Sequence, residues 1–410
     1  MTQAEQNVNR LNSASNRCYY VDQLRVWAMV AVFILHCSHF FDHIGWHVKN
    51  AEANLGFTMV LLFIHQWTMP LFFLLAGAAS WFSLGTRTTK EYAAARFKRL
   101  LIPYFFGILV LIPPQKFLEA VSQRGFEGNY FDFLGRYFST DTLWIGPSLN
   151  VFGHYGHHLW FLGFLTVFSL AALPLFKALR TEKARQLIMK WGDYFSQKGR
   201  IFLLFLPLAV VQIALRPLFP DYLNWADTIY WAIFFIYGYI FFLDTRFGDT
   251  MVKYRNIALA VGVLGFLVVA AGLYLEREEF GRMAMNPSYS LLSVGYQLLC
   301  SISTWAWLIF ILGAGKKYLD KSSKTLGYSN EAVLPFYILH QTVILIIGFY
   351  VVRWDLPMIA KFGVITVTSF IAIMALYEPI KRFPPTRFLF GMRPRRDHPI
   401  KEKIMENIYE

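Results

Sequence analysis

The 410-residue chain is 56% hydrophobic, 18% aromatic and only 16% charged, which excludes an ordinary water-soluble fold of this size and marks a polytopic membrane protein. A formal net charge of +13 does not imply nucleic-acid binding, because the basic residues are dispersed among loops instead of gathered on one module. Cys18, Cys37 and Cys300 are odd in number and far apart; they offer neither a disulfide framework nor a zinc pattern and read as packing residues.

The N-terminal tail, residues 1–20, is polar and lacks both a signal h-region and a myristoylation glycine, so the first span is expected to stay as a signal anchor. The stretch VDQLRVWAMVAVFILH, residues 21–36, puts Asp22 and Arg25 at the mouth of an apolar helix and His36 inside it. At about 1.5 Å per residue, Arg25 and His36 stand roughly 16 Å apart, which predicts the imidazole near or just past the middle of a hydrocarbon core about 30 Å thick. Windows of about 19 residues predict an all-α bundle of ten spans, at approximately 24–41, 56–83, 100–118, 158–176, 201–218, 225–243, 256–275, 291–313, 331–352 and 359–380. Pro103 and Pro113-Pro114 should kink or end the third; Pro70 and Pro207 lie inside others. The long loop at 119–157 is rich in aromatics and glycine. Its FDFLGRYF stretch suits a short interfacial amphipathic helix, and its aromatic faces suit either a membrane-surface belt or sugar rings. The basic tail at 381–410 reads as interfacial or disordered, and residues 21–380 form one transmembrane domain with no internal repeat. With the N-terminus inside, 30 of the 39 Lys and Arg residues fall on cytoplasmic segments, which predicts both termini in the cytoplasm. Most of these cations read as topological anchors beside anionic lipid, and lipid is itself a partner.

An ionisable side chain inside a span is costly and marks a functional candidate by default. His36, His65 and His340 are expected at similar middle-to-outer depths, with His158 at the outer mouth. A lone buried histidine also serves as a hydrogen-bonded core residue, the reading that first suits His65 and His340. His36, walled by Val32, Phe33, His39 and Phe40, is the one expected to stay neutral and accept a proton. At the cytoplasmic start of the third span, RFKRLLIPY sets Arg96 and Arg99 three residues apart on one helix face, so that two planar guanidinium forks can hold one anion. Anchoring explains such a pair equally well on its own; sharing a level with Arg25 is what gives it weight.

The strings RCYYVDQLRVWAMVAVFILHCSHFFDHIGWHVKN, MPLFFLLAGAASWFSL, RFKRLLIPY, PPQKFLE, HHLWFLGFLTVFSLAALPLF and LPFYILHQTVI, taken together and in order, resemble the membrane-bound acyltransferase family 3, most of all its glucan-modifying succinyltransferase branch. The resemblance covers residues 17 to about 380. It implies transfer of an acyl group from a cytoplasmic donor, usually acyl-coenzyme A, to a hydroxyl of a glycan or glycolipid on the far side of a bacterial inner membrane. It also implies His36 and Asp22 as catalytic candidates, Arg25, Arg96 and Arg99 as donor-binding residues, and Trp160 and His340, with His65 and His158, as acceptor-side candidates. Some relatives carry a further extracytoplasmic domain after the last span; with about 30 residues following it here, the acceptor is expected to reach the membrane domain itself or be served by a separate partner.

A thioester is already activated, so the chemistry asks mainly for a base, alignment and oxyanion stabilisation. His36 is the expected general base; direct transfer and an acyl-histidine route both stay open, as do acetyl and succinyl as the acyl group. Asp22 reads either as a partner that orients Arg25 or as an N-terminal helix carboxylate favoured by the macrodipole. No tightly bound cofactor and no metal are expected, and homo-oligomerisation is left open. The rival classes are a secondary transporter or flippase working through buried histidines, and a structural scaffold.

Overall fold

The computed structural model describes residues 18–138 and 149–394. The expected tail before residue 18, part of the aromatic loop (139–148) and the end of the basic tail (395–410) lie outside the described residues. Among the described residues the fold is all-helical. In chain order the helices are α1 (Tyr19–Ser38), α2 (Leu55–Thr86), α3 (Thr89–Arg96), α4 (Ile102–Val110), α5 (Ile112–Arg124), α6 (Tyr130–Tyr137), α7 (Val151–Gly156), α8 (Trp160–Ala171), α9 (Leu173–Ala178), α10 (Glu182–Phe195), α11 (Phe205–Leu215), α12 (Trp225–Phe241), α13 (Thr245–Leu275), α14 (Arg277–Met285), α15 (Leu291–Tyr318), α16 (Lys324–Val351), α17 (Met358–Ile380) and α18 (Pro384–Leu389).

Among the described residues, seven continuous stretches are long and apolar enough to cross a membrane: α1, α2, α3 through α5, α13, α15, α16 and α17. The other three expected spans are helical but shorter. The fourth breaks at Ala172 into α8 and α9, the fifth is a 3-10 turn (Arg200–Leu204) running into α11, and the sixth, α12, has 17 residues. The third span breaks where its prolines require. Phe97–Leu101 is a π-helix, Pro103 opens α4, and Pro113-Pro114 open α5. FDFLGRYF lies on α6, whose N-terminus is closed by a capping box between Asn129 and Asp132. The segment Glu182–Phe195, between the fourth and fifth expected spans, is the helix α10.

Burial separates centre from rim. In the apolar windows of α16 and α15, 67% and 61% of residues are buried, against 17% for α17, so α16 and α15 form the interior and α17 faces the hydrocarbon. Backbones meet where glycine permits: a Cβ on Gly77 of α2 would lie 1.9 Å from Phe235 O, and one on Gly238 of α12 would lie 1.8 Å from Leu74 O. No side chain fits at either position, which locks α2 against α12 in the small-residue manner of membrane helices.

The feature that positions the site is the segment between α1 and α2. It folds back over the end of α1, with Phe40, Phe41 and Val48 fully buried. Lys49 organises it: its Nζ donates to His39 O (2.6 Å), Asp42 O (2.7 Å), Ile44 O (3.0 Å) and Asp42 Oδ1 (2.9 Å). Asp42 is fully buried, and His39 Nδ1 lies 2.8 Å from its other oxygen. Burial pushes the Asp42 carboxyl up, but His39 and Lys49 outweigh it and hold the group below its usual range.

Lys49→Met, which leaves a buried carboxylate without its cation, is therefore expected to lower stability by about 3 kcal/mol, read as a fall in the thermal unfolding temperature in detergent. Because the Asp42 value is depressed on folding, its contribution is complete above about pH 4 and is lost as pH falls through the lower folded-state value. The wild-type unfolding temperature should drop more steeply than that of Lys49→Met over this acidic window, and parallel curves would contradict the assignment.

Candidate active site

The site is built on two ends of α1. At the end carrying Arg25, Nη1 donates to Asp22 Oδ1 (3.1 Å) and to Asn330 Oδ1 of α16 (3.1 Å). Asp22 thus belongs with the arginines; fourteen residues separate it from His36, roughly 21 Å of helix. Arg96 donates from Nη2 to Ser80 Oγ (3.0 Å) and lies over the Tyr92 ring at 4.9 Å. The buried Ser80 hydroxyl also accepts from Tyr92 OH (2.9 Å) and donates to Ala76 O (2.9 Å). Arg99 Nε donates to Gly391 O (3.0 Å). The expected shared α-helical face of Arg96 and Arg99 is replaced by another geometry: Arg96 ends α3 and Arg99 sits in the π-helix, whose wider turn separates their directions, a local distortion frequent at functional sites. They still act on one another electrostatically, and Arg25 feels Arg96 while Arg99 feels both.

At the other end, His36 occupies the last turn of α1, which begins at Tyr19 and stops at Ser38. Its enclosure comes from the folded-back segment. His36 Nδ1 stands 2.8 Å from Val32 O; a carbonyl only accepts, so Nδ1 carries the proton and a neutral ring has its lone pair on Nε2. The His340 ring meets His36 edge to face with centroids 4.8 Å apart, and Trp46 lies 6.1 Å away. His340 is fully buried; its Nδ1–H donates to Tyr337 O (2.6 Å), while its Nε2 has no hydrogen-bond partner in the structure. Two imidazoles therefore face one another with unprotonated nitrogens to offer.

His158 completes the group, 5.2 Å from His340. Its Nε2–H donates to Ile338 O (3.2 Å), and its Nδ1 faces Gln115 Nε2 at 3.4 Å, so this ring is a positioned wall. Trp160 is buried and stacked on Trp231 with centroids 4.7 Å apart. His65 is not brought to His36: it pairs with Tyr222 at 5.7 Å, toward the surface of the bundle. Tyr222 in turn packs edge-on against Trp160.

Several residues not singled out from the sequence complete the site. Gln115, fully buried at the proline break, donates to Thr342 Oγ1 (2.7 Å) and to Leu111 O (3.2 Å), and accepts from Gln341 Nε2 (3.0 Å). Gln341 Nε2 also faces His47 Nε2 at 3.2 Å, and His47 Nδ1–H donates to Glu119 Oε2 (2.5 Å), a histidine–carboxylate pair beside Trp46. His39 stacks on Trp46 at 5.1 Å. The adjacent His157 adopts φ +45°, a region rare for residues with a Cβ, and its ring lies 5.1 Å from that of His47. The usable signal was the spacing of His36, His39, His43 and His47, three to four residues apart across a helix end. Among the described residues, no group of three or more His, Cys, Asp or Glu side chains is arranged to hold a metal ion.

A family model described as "Acyltransferase domain" matches residues 19–378. Two relatives named "Glucans biosynthesis protein C", from Escherichia coli strains SMS-3-5 / SECEC and K12 / DH10B, are each 25% identical over 401 residues, covering 93% of this chain and 96% of theirs. No solved structure matches the chain.

The Gln115 network yields a direct expectation. Gln115→Leu keeps the volume and strands buried partners on Thr342, Gln341 and His158, so it should cost about 1–3 kcal/mol of stability, measured by thermal unfolding in detergent; an unchanged unfolding temperature would show the network to be dispensable.

Proposed function

The chain belongs to the acyltransferase domain family, and from that premise we propose that it moves an acyl group from acyl-coenzyme A, bound at the cytoplasmic Arg25 end of α1, to a hydroxyl of a glucan or related glycan at the His36 end. The name its relatives carry, Glucans biosynthesis protein C, suggests the glucan acceptor. The observation that carries the reading is the orientation of His36: Nδ1–H fixed on Val32 O, Nε2 free, and the ring enclosed by His340 and Trp46.

Coenzyme A has a polyanionic nucleotide end and a long, flexible pantetheine arm. Arg96 and Arg99, with Arg25 beside them, suit the phosphates, because guanidinium groups stay charged and bind bidentately. The arm then carries the thioester along α1 into the chamber. There His36 Nε2 takes the proton of the acceptor hydroxyl as its oxygen attacks the thioester carbonyl. The tetrahedral oxyanion collapses, the C–S bond breaks, and the departing thiolate recovers the proton from the imidazolium, so an ester and a free thiol are formed and the base is restored. His340, with its unpartnered Nε2 at the opposite wall, is placed to hold the acceptor hydroxyl or the imidazolium proton during transfer. Asp22 acts through Arg25 and takes no part at the reacting atoms. Acetyl and succinyl donors both satisfy this scheme, and the membrane in which it operates is the bacterial inner membrane.

His36→Ala should abolish acyl transfer, a loss of at least about 10²-fold for a general base, while the protein still elutes as a folded species in detergent. Labelled acetyl- and succinyl-coenzyme A with glucan acceptors, followed by mass spectrometry, give the readout; activity within a few-fold of wild type would remove His36 from the reaction. Arg96→Ala and Arg99→Ala should each weaken donor binding about tenfold or more and acceptor binding little, with the larger effect at low salt. Calorimetry that finds donor affinity unchanged in both variants would contradict the phosphate assignment.

A further inference from the structure

The basic segment after the last span does not simply trail from the bundle. Residues up to Arg393 form a strap beneath the Arg25 end. After α18 the chain turns at Gly391 with φ +64°, and a Cβ there would lie 2.5 Å from Arg99 O, 2.9 Å from Pro103 Cγ and 3.0 Å from Leu334 Cδ2. Only glycine tolerates both that backbone conformation and that closeness, so the strap backbone is pressed onto the π-helix that carries Arg99. Arg99 Nε donates to the carbonyl of this same Gly391 (3.0 Å).

Arg387 holds the end of the strap in place. It is 6% exposed and donates to Lys381 O (2.9 Å), to Glu331 Oε1 (2.8 Å) and twice to Arg393 O (3.1 and 2.5 Å). The Arg393 backbone is thereby held while its side chain stays exposed. From that position it acts electrostatically on both Arg99 and Arg25. Five guanidinium groups, those of Arg25, Arg87, Arg96, Arg99 and Arg393, thus gather at one end of the bundle, with Arg87 acting on Glu91 as well. Of the carboxylates around them, Asp22 is paired with Arg25 and Glu331 with Arg387.

Like charges gathered in this way repel one another and favour an anionic ligand between them. The charge count separates two kinds of anion. Arg25, Arg96 and Arg99, offset by Asp22, leave two uncompensated positive charges, enough for a pyrophosphate diester. Arg87 is offset by Glu91, and Arg393 adds one further cation toward a phosphomonoester, which carries about −1.5 to −2 at neutral pH. We infer that Arg393, delivered by the strap, is a further phosphate-binding residue of the donor site and reads the ribose 3′-phosphate that distinguishes coenzyme A from its dephospho form. The inference rests on the coenzyme A reading above. Arg387 is a positioning residue that acts through Arg393.

The test measures binding of coenzyme A and 3′-dephospho-coenzyme A to the full-length protein in nanodiscs by calorimetry. Wild type should prefer coenzyme A by roughly tenfold or more, the scale of one charge-assisted contact. Arg393→Ala should abolish that preference by weakening coenzyme A binding while leaving the dephospho form within about twofold, and Arg387→Ala should reproduce the lost preference. Arg99→Ala should weaken both ligands. An Arg393→Ala protein that keeps the wild-type preference, or loses affinity for both ligands equally, overturns the role of Arg393 and leaves the donor reading standing. Failure of wild type to bind either ligand overturns the donor reading itself.

Discussion

The Lys49 ammonium, held by the carbonyls of His39, Asp42 and Ile44 and by the buried Asp42 carboxylate, decides the form of the segment that covers the end of α1. A helix end that opens to water would leave His36 in its last turn as a surface imidazole, freely hydrated and surrounded by competing proton donors. The folded-back segment instead lays Trp46 and His39 beside the ring and brings His47 to Glu119 and Gln341. A cation on the last carbonyls of a helix also opposes the negative end of its dipole. One side chain therefore holds the cover over His36 and caps the helix on which the proposed base sits.

The same helix connects this chamber to a contrasting environment. Around His36 the imidazole protons of His36, His158 and His340 are each fixed by a backbone carbonyl, which suits movement of one proton. Around Arg25 the polar groups are cations in excess of their carboxylates, which suits retention of a polyanion. The distance between these regions is set by the rise of α1, and their relation to the other helices by close contacts such as Gly77 with Phe235 and Gly238 with Leu74. The rigid bundle supplies position, and the segments that leave regular α-helix supply the chemistry: the π-helix at Arg99, the proline break beside Gln115 and the positive-φ turns at His157 and Gly391.

Much of this was legible in the sequence and some was not, for physical reasons. Apolar runs gave the helices, and the prolines at 103, 113 and 114 gave the breaks, because both effects are local. His36, His158 and His340 stand out as ionisable groups in apolar surroundings, and they meet in space. His65 stands out in the same way yet faces Tyr222, since depth along a helix does not determine which side a residue takes. The cover over His36 at the end of α1 comes from a polar segment that reads as a loop. Gln115, Gln341 and Glu119 are single polar residues whose significance arises from partners more than 70 positions away, such as Glu119 on His47. Arg387 and Gly391 give no signal because a basic, proline-containing tail looks the same whether it is solvated or packed.

The central claim is that a donor anchored among arginines at one end of α1 presents its thioester to His36 at the other. A cryo-electron microscopy structure with a non-transferable acyl-coenzyme A analogue tests it most directly. The account predicts phosphate oxygens on Arg96 and Arg99 and the thioester carbonyl carbon within about 5 Å of His36 Nε2, room for a hydroxyl placed at the roughly 3–3.5 Å separation of reacting atoms. An analogue whose nucleotide lies away from these arginines, or whose acyl end stops short of the His36–His340 chamber, would contradict it.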